Sequence, residues 1–399
     1  MDDILSQGGD GGPSRRPRRL ALIGVPVLVA IATIVYLGLG RHPHAPAAAV
    51  PAPAGTAPVS VGLAGPGVPA EPDGIGGPAL PWSGSLRLPV AGSQPAWFSP
   101  ATGGAEPIGG LPADSSGYQF IRIDGGWVVQ ADAAGNTAGG DWAVPPLPVW
   151  FLADGGRSVT RVGTANQVAP AATAGAVWLT SYPPGADPAT AARTAREVSL
   201  TGAPLGPPVR LPAGYTIYQA TDRGLLLAPV SRQPGTLAYM LWNPADPRAS
   251  RTFGEVIAAS PAEIAWTPPC AATCQVRLLD LATGRQAAVE LPAGSSAAGG
   301  AFSPSGGFLA LQVGSGDDGA LAMQLEVASV TSGRLTPVPG TSVSSDALAG
   351  FGWPASADSL VAEFIFATKV QLVSWHPGAT RLAVAVIRPG QDQAWLVVG

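Results

Sequence analysis

The chain has 399 residues with 22 basic and 26 acidic side chains, so only 12% of it is charged and the net charge is −4. A mildly acidic chain lacks the basic face that nucleic-acid binding requires, and that partner class is excluded. At this length it holds either two ordinary domains or one large all-β domain behind a tail and a linker.

Residues 1–19 carry Arg15, Arg16, Arg18 and Arg19 just ahead of the first apolar run and read as a short cytoplasmic tail. Residues 20–40, Leu20 to Gly40, contain no charged side chain. As a helix rising about 1.5 Å per residue they span about 30 Å, the thickness of a bilayer's hydrocarbon core. Pro26 is tolerated in such a segment. The four arginines place the N-terminus in the cytoplasm and the remainder outside, by the positive-inside rule. The expectation is a retained single-pass anchor at the cell membrane. A cleaved signal peptide is the alternative, with Ala47-Ala48-Ala49 as its cleavage site. Ser14-Arg15-Arg16 matches half of a twin-arginine export signal, and the absence of a nearby Cys excludes a lipoprotein.

Residues 41–81 contain ten Pro and seven Gly, too little apolar surface to fold, and are expected to form a disordered, semi-extended spacer. His42 and His44 lie in it and read as solvated tail residues rather than metal ligands.

From Trp82 to Gly399 short apolar runs alternate with Gly, Pro, Asp and Asn clusters, and no long stretch has helical periodicity. The eleven tryptophans read as core packing on twisted sheets, with carbohydrate stacking as the alternative. Ala301 to Leu311 reads as strand, Ser-Pro-Ser-Gly turn, strand; looser versions stand at Gly352-Trp353-Pro354 and at Ser374-Trp375-His376-Pro377. Pairing the strands gives seven units. They open near Ala96, Val149, Arg196, Ala238, Val276, Leu325 and Val370, so their starts lie 38 to 53 residues apart. That is the period of four-stranded propeller blades, about 40–50 residues. The expected fold is therefore an all-β propeller of seven four-stranded blades over 82–399, behind one transmembrane helix and a disordered linker. The last strand, Trp395 to Val398, is expected to pair with Leu86 to Val90 in a shared blade and close the ring.

The Phe-Ser-Pro-x-Gly-x-x-Leu-Ala pattern of Phe302 to Ala310 and the Asp-Leu-x-Thr-Gly-Arg turn of Asp280 to Arg285 resemble TolB-like and WD-repeat-like β-propellers. The chain as a whole is similar to the membrane-anchored propeller proteins of high-G+C Gram-positive bacteria. That resemblance implies an interaction platform and no particular activity.

Cys270 and Cys274, the only cysteines, sit in one loop of an exported domain and are expected to form a disulfide, with two free thiols as the alternative. A zinc site would need more ligands than the sequence places nearby. His376, the one histidine of the body, reads as a turn residue; no Gly-x-Ser-x-Gly elbow accompanies it for hydrolysis. Gly314 to Gly319 is the densest acidic loop and reads as a hairpin turn, with calcium ligation as the alternative. No catalytic residue, cofactor or metal site is assigned. The functional expectation is a membrane-tethered, extracytoplasmic, non-catalytic scaffold that binds a protein, a peptide or a cell-wall glycan through loops on one face. The alternative is a lyase or glycosidase whose site lies in the central channel.

Overall fold

A computed structural model describes residues 75–396 apart from 76–78, 83–84, 92–94, 113–116, 132–144, 188–189, 231–237, 270–273, 316–321, 345–346, 355–358, 367–368 and 388–394. The segment 20–40 and the spacer up to residue 74 lie outside the described residues. Among the described residues there is no helix, and every regular element is a strand.

After a three-residue strand, β1 (Ala79–Pro81), the chain enters the first blade with β2 (Leu88–Ala91), β3 (Ala96–Ser99) and β4 (Gly104–Pro107). Blade two holds β5 (Tyr118–Ile123), β6 (Gly126–Ala131), β7 (Leu147–Ala153) and β8 (Thr160–Ala165). Blade three holds β9 (Gln167–Pro170), β10 (Ala176–Ser181), β11 (Thr194–Ser199) and β12 (Val209–Arg210). Blade four holds β13 (Tyr215–Thr221), β14 (Gly224–Pro229), β15 (Tyr239–Asn243) and β16 (Asp246–Phe253). Blade five holds β17 (Glu255–Ala259), β18 (Glu263–Thr267), β19 (Gln275–Asp280) and β20 (Gln286–Glu290). Blade six holds β21 (Ser295–Phe302), β22 (Phe308–Ser315), β23 (Ala322–Ser329) and β24 (Leu335–Pro337), with the short β25 (Val343–Ser344) also on β23. Blade seven holds β26 (Leu348–Gly352), β27 (Leu360–Phe366), β28 (Lys369–Trp375) and β29 (Leu382–Ile387). The last strand, β30 (Trp395–Leu396), returns to the first blade.

Apart from β25 on β23, neighbours within each blade are antiparallel and follow chain order, with two exceptions at the seam between blades seven and one. There β30 pairs with β2, Val90 opposite Leu396 and Ala91 opposite Trp395, and completes the first blade with its innermost strand. This is the closure expected from the sequence. The second exception is β1, which adds a parallel strand to the outer edge of blade seven, Leu80 opposite Ala383. The first strands of successive blades touch one another, β9 with β5 and β13, β21 with β17 and β26, and so they encircle the axis.

The core explains why this is a ring. Seven apolar clusters lie one between each adjacent pair of blades: Val128 with Val177 between blades two and three, Leu226 with Ile264 between four and five, Leu309 with Val276 between five and six. Ala310 turns the other way, into the cluster shared with blade seven that holds Trp353, Phe364 and Trp375. Alternate residues of one strand thus serve opposite interfaces, which is why Leu225-Leu226-Leu227 reads as an unbroken apolar run although strand periodicity is two. Stacking buries both faces of each sheet, which no isolated blade can do. Among the described residues the seventh cluster, Leu88, Phe98, Val361 and Leu372 across the seam, is the smallest.

The seven units read from the sequence have the right number and period but the wrong phase. Their openings near 96, 149, 196, 238, 276, 325 and 370 fall on β3, β7, β11, β15, β19, β23 and β28, the third strand of each blade. Tyr118 to Gln130, which fall within the unit opening near Ala96, are instead the first two strands of blade two. Strand rhythm carries no mark of which strand lies nearest the axis, so a repeat can be counted without being framed. Among the described tryptophans, Trp97, Trp127, Trp150, Trp242, Trp266, Trp353 and Trp375 are buried, while Trp82 and Trp178 are half-buried.

Candidate functional site

The turns joining first to second strands and third to fourth strands lie at one end of the ring, and there the sequence motifs become geometry. In blade six Ser303 begins the turn: its N–H donates to the Phe308 carbonyl at 2.8 Å, and its Oγ accepts from the Phe308 N–H at 3.1 Å. Gly306 closes the turn at φ +69°, a left-handed conformation for which glycine is the natural residue. The related segment at Gly352-Trp353-Pro354 occupies the same place in blade seven, between β26 and β27. The one at Trp375-His376-Pro377 does not; it joins β28 to β29, a third-to-fourth connection.

The other recurring turn is duplicated closely. In blade five the Gly284 N–H donates to the Asp280 carbonyl at 2.8 Å and the Asp280 N–H to the Arg285 carbonyl at 3.0 Å. In blade six the Gly333 N–H donates to Ser329 at 2.8 Å and the Ser329 N–H to Arg334 at 2.9 Å. The Asp280 carboxylate also accepts from the amides of Ala282 and Thr283, and those bonds, with that of the Thr283 hydroxyl, hold its pKa below the ordinary aspartate value.

Between blades six and seven these turns frame a groove of about 260 Å³, lined by Phe308, Val327, Ser329, Arg334, Thr336, Trp375, Pro377 and Gly378. Phe308 is half-buried and stacks against Trp353, with ring centroids 6.5 Å apart and planes 24° from parallel. Trp375 is held by its indole N–H, which donates to the Ala379 carbonyl at 2.9 Å. Arg334 stands exposed at the lip, and its guanidinium has no ion-pair partner among the described residues. Its backbone is pinned by the turn, so the charge projects from a rigid base. The result is a preorganised cleft with an apolar aromatic floor, hydroxyls from Ser329 and Thr336, and one available cation. Such a surface suits an extended ligand carrying apolar groups and a negative charge.

His376, singled out in the sequence as the body's only histidine, lies between two groove-lining residues. It is exposed, and its Nδ1 is 3.0 Å from the Pro377 carbonyl, which can only accept, so the ring donates there. Among the described residues no hydrogen bond joins it to a serine or a carboxylate, as a triad would require. Cys274 leads into β19 and packs against the cluster between blades five and six, and no described cysteine is a free thiol. Cys270 lies outside the described residues, and we propose that it pairs with Cys274. The loop carrying Asp317 and Asp318 joins β22 to β23, as a hairpin would; the two aspartates also lie outside the described residues.

One feature of this end of the ring is invisible in the sequence. Glu263, at the start of β18, has its Oε2 buried without a hydrogen-bond partner among the described residues. That oxygen lies 3.3 Å from where a Cβ on Gly306 of the next blade would stand. Burial, with Asp280 nearby as a second cause, pushes its pKa up to about 7. By contrast, the seven first strands around the axis carry only Arg122 and Glu255 as charged residues, on blades two and five. Among the described residues there is no cluster of His, Cys, Asp or Glu able to hold a metal ion.

No protein-family model matches the chain, and no curated protein matches it. Among solved structures it is similar to hydrazine synthase from Kuenenia stuttgartiensis, at 12% identity over 62% of this chain and 73% of that one, with a TM-score of 0.39. It is similar to a protein from Lactobacillus plantarum at 12% identity, over 76% of this chain and all of that one, with a TM-score of 0.42. It is also similar to a prolyl endopeptidase at 15% identity, over 69% of this chain and 44% of that one, with a TM-score of 0.44. Likeness at this level carries neither ligand nor activity from those proteins to this one.

Proposed function

We propose that this protein is a non-catalytic recognition platform whose binding site is the groove between blades six and seven. The observation that carries the reading is Arg334, without an ion-pair partner among the described residues, over an aromatic floor of Phe308 and Trp375, all three held by rigid turns. That chemistry favours an extended peptide with an acidic residue, rather than a glycan, whose hydroxyls call for many polar partners. The scarcity of charged groups on the axial strands gives the alternative, a lyase or glycosidase in the channel, no constellation to build on among the described residues.

In this reading the ring stands outside the cell, tethered by residues 20–40 through the Pro/Gly-rich spacer. The two duplicated turns support kinship with TolB-like or WD-repeat-like propellers. The test is equilibrium binding of the full chain to a panel of acidic, basic and neutral proline-containing peptides and to a panel of cell-wall glycans. The reading predicts selection of acidic peptides and loss of binding in Arg334→Glu. Glycan binding or turnover unaffected by that substitution would overturn it.

A further inference from the structure

Glu263 belongs to blade five, but the turn above it carries part of the groove. Its buried Oε2, without a hydrogen-bond partner among the described residues, lies against Gly306 of blade six. The amides of that turn are already committed. The Gly306 N–H donates to the Ser303 carbonyl at 2.9 Å, the Gly307 N–H to Ser305 Oγ at 3.1 Å, and the Phe308 N–H to Ser303 Oγ at 3.1 Å. The turn also joins both blade-six walls of the groove. Phe308 follows it directly and forms the floor, and the Gly307 carbonyl accepts from the Val330 N–H at 3.0 Å, which ties it to the Ser329–Arg334 turn at the lip.

We propose that Glu263 is a proton-operated switch for the groove: protonated, it packs beneath the Ser303–Phe308 turn and leaves the walls in place; ionised, it moves out to water and the turn opens with it. The proposal rests on the reading of the groove as a recognition site and names its regulation. The surroundings are one-sided. Strand β18 has no other charged residue, and the blade-six turn has none. The connection from β17 offers Ser260, whose Oγ already accepts from the Glu263 N–H at 3.0 Å, and Glu255 stands at the opposite end of β17. Asp280 faces Glu263 from β19, with Arg285 beyond it in the turn. Arg223 of blade four is spent on the Leu281 and Ala282 carbonyls. Glu326 of blade six lies on the same interface, opposite Leu311, and burial raises its pKa as well. Burial first and Asp280 second therefore act on Glu263 in the same direction, and its pKa stands at about 7. A buried carboxylate with no donor is costly, and the cost is relieved by opening the least stable element beside it, here a turn whose tip, Pro304-Ser305, is exposed. Ionisation thus shifts the population toward an open groove.

Hydrogen exchange on the full chain between about pH 5.5 and 8.5, corrected for intrinsic exchange rates, tests this. The protection of Gly306, Gly307, Phe308 and Val330 is expected to fall at least about tenfold as the pH rises, with its midpoint at about 7. Glu263→Gln, neutral and of the same shape, should keep that protection high throughout, whereas Glu326→Gln should leave the natural response unchanged. Constant protection in the natural chain, or a fall that persists in Glu263→Gln, overturns the proposal. Binding of an acidic, proline-containing peptide over the same range separates the switch from the site it governs. A parallel loss of affinity that Glu263→Gln removes supports both. A loss that survives Glu263→Gln but disappears in His376→Gln, with the turn unmoved, overturns the switch and leaves the recognition site standing. No binding at any pH, beside a turn that still opens on ionisation of Glu263, upholds the switch and overturns the recognition site.

Discussion

Glu263 and Asp280 stand directly opposite each other across the ladder of β18 and β19, two carboxylates as cross-strand partners. Like charges in that position repel. The conflict is resolved by unequal surroundings: Asp280 is half-buried and accepts amide hydrogen bonds, whereas Glu263 points one oxygen under the Ser303–Gly307 turn of the next blade. Of the two carboxyls it is therefore Glu263 whose pKa is raised, by burial first and by Asp280 second.

The folded pKa of Glu263, about 7, lies above the unfolded value of 4.5, so the folded state binds more protons between those limits. Stability is expected to be highest near pH 5 and to decline as the pH rises to 7. Below pH 4 the depressed Asp280 acts in the opposite sense, and its contribution is lost as acid protonates it. Glu263→Gln should flatten the slope between pH 5 and 8 and raise the thermal midpoint at pH 8 by about 2–4 °C. Calorimetry across that range checks it; an unchanged slope in the variant contradicts it.

Gly284 and Gly333 hold equivalent turn positions at φ +72° and +67°, so alanine at either is strained by about 1–2 kcal/mol. Only Gly333 is also crowded, since a Cβ there would stand 2.7 Å from the Ala288 carbonyl of blade five, while nothing lies within 4 Å of one at Gly284. Gly333→Ala should therefore cost more than Gly284→Ala in denaturant unfolding. Equal costs would show that the inter-blade contact yields freely.

Leu88 is fully buried at the seam, in the smallest of the seven clusters. Leu88→Ala is expected to cost about 2–5 kcal/mol. Deleting residues 395–399 removes the innermost strand of blade one and should open the region 82–112 to limited proteolysis while later blades stay resistant. Uniform resistance after the deletion would mean that β30 does not close the ring.

The proposed Cys270–Cys274 link predicts no titratable thiol in the oxidised, denatured chain and two after reduction. Its ring is small, so reduction should lower stability by no more than about 2 kcal/mol. Two thiols before reduction would exclude the bond.

Architecture was legible where local chemistry repeats. Ser303 with Gly306, and Asp280 with Gly284, declare their turns because each needs a side-chain acceptor and a left-handed residue at fixed spacing. Closure could be read from the pairing of the last strand with Leu86 to Val90. Phase could not, because β7 and β6 are similarly apolar and only tertiary packing distinguishes inner from outer strands. The groove was hidden for the same reason. Phe308 and Trp375 lie 67 positions apart in sequence and look like any core aromatics, and Arg334 looks like any turn arginine. Glu263 is unremarkable in sequence; its environment comes from a turn about forty residues away.

The most direct test of the recognition site is a hydrogen-exchange footprint of the full chain with and without a saturating acidic, proline-containing peptide. Protection is predicted at 303–308, 329–336 and 375–379, and nowhere else. Protection on the axial strands β5, β9, β13, β17, β21 and β26, or none at all, would contradict the account.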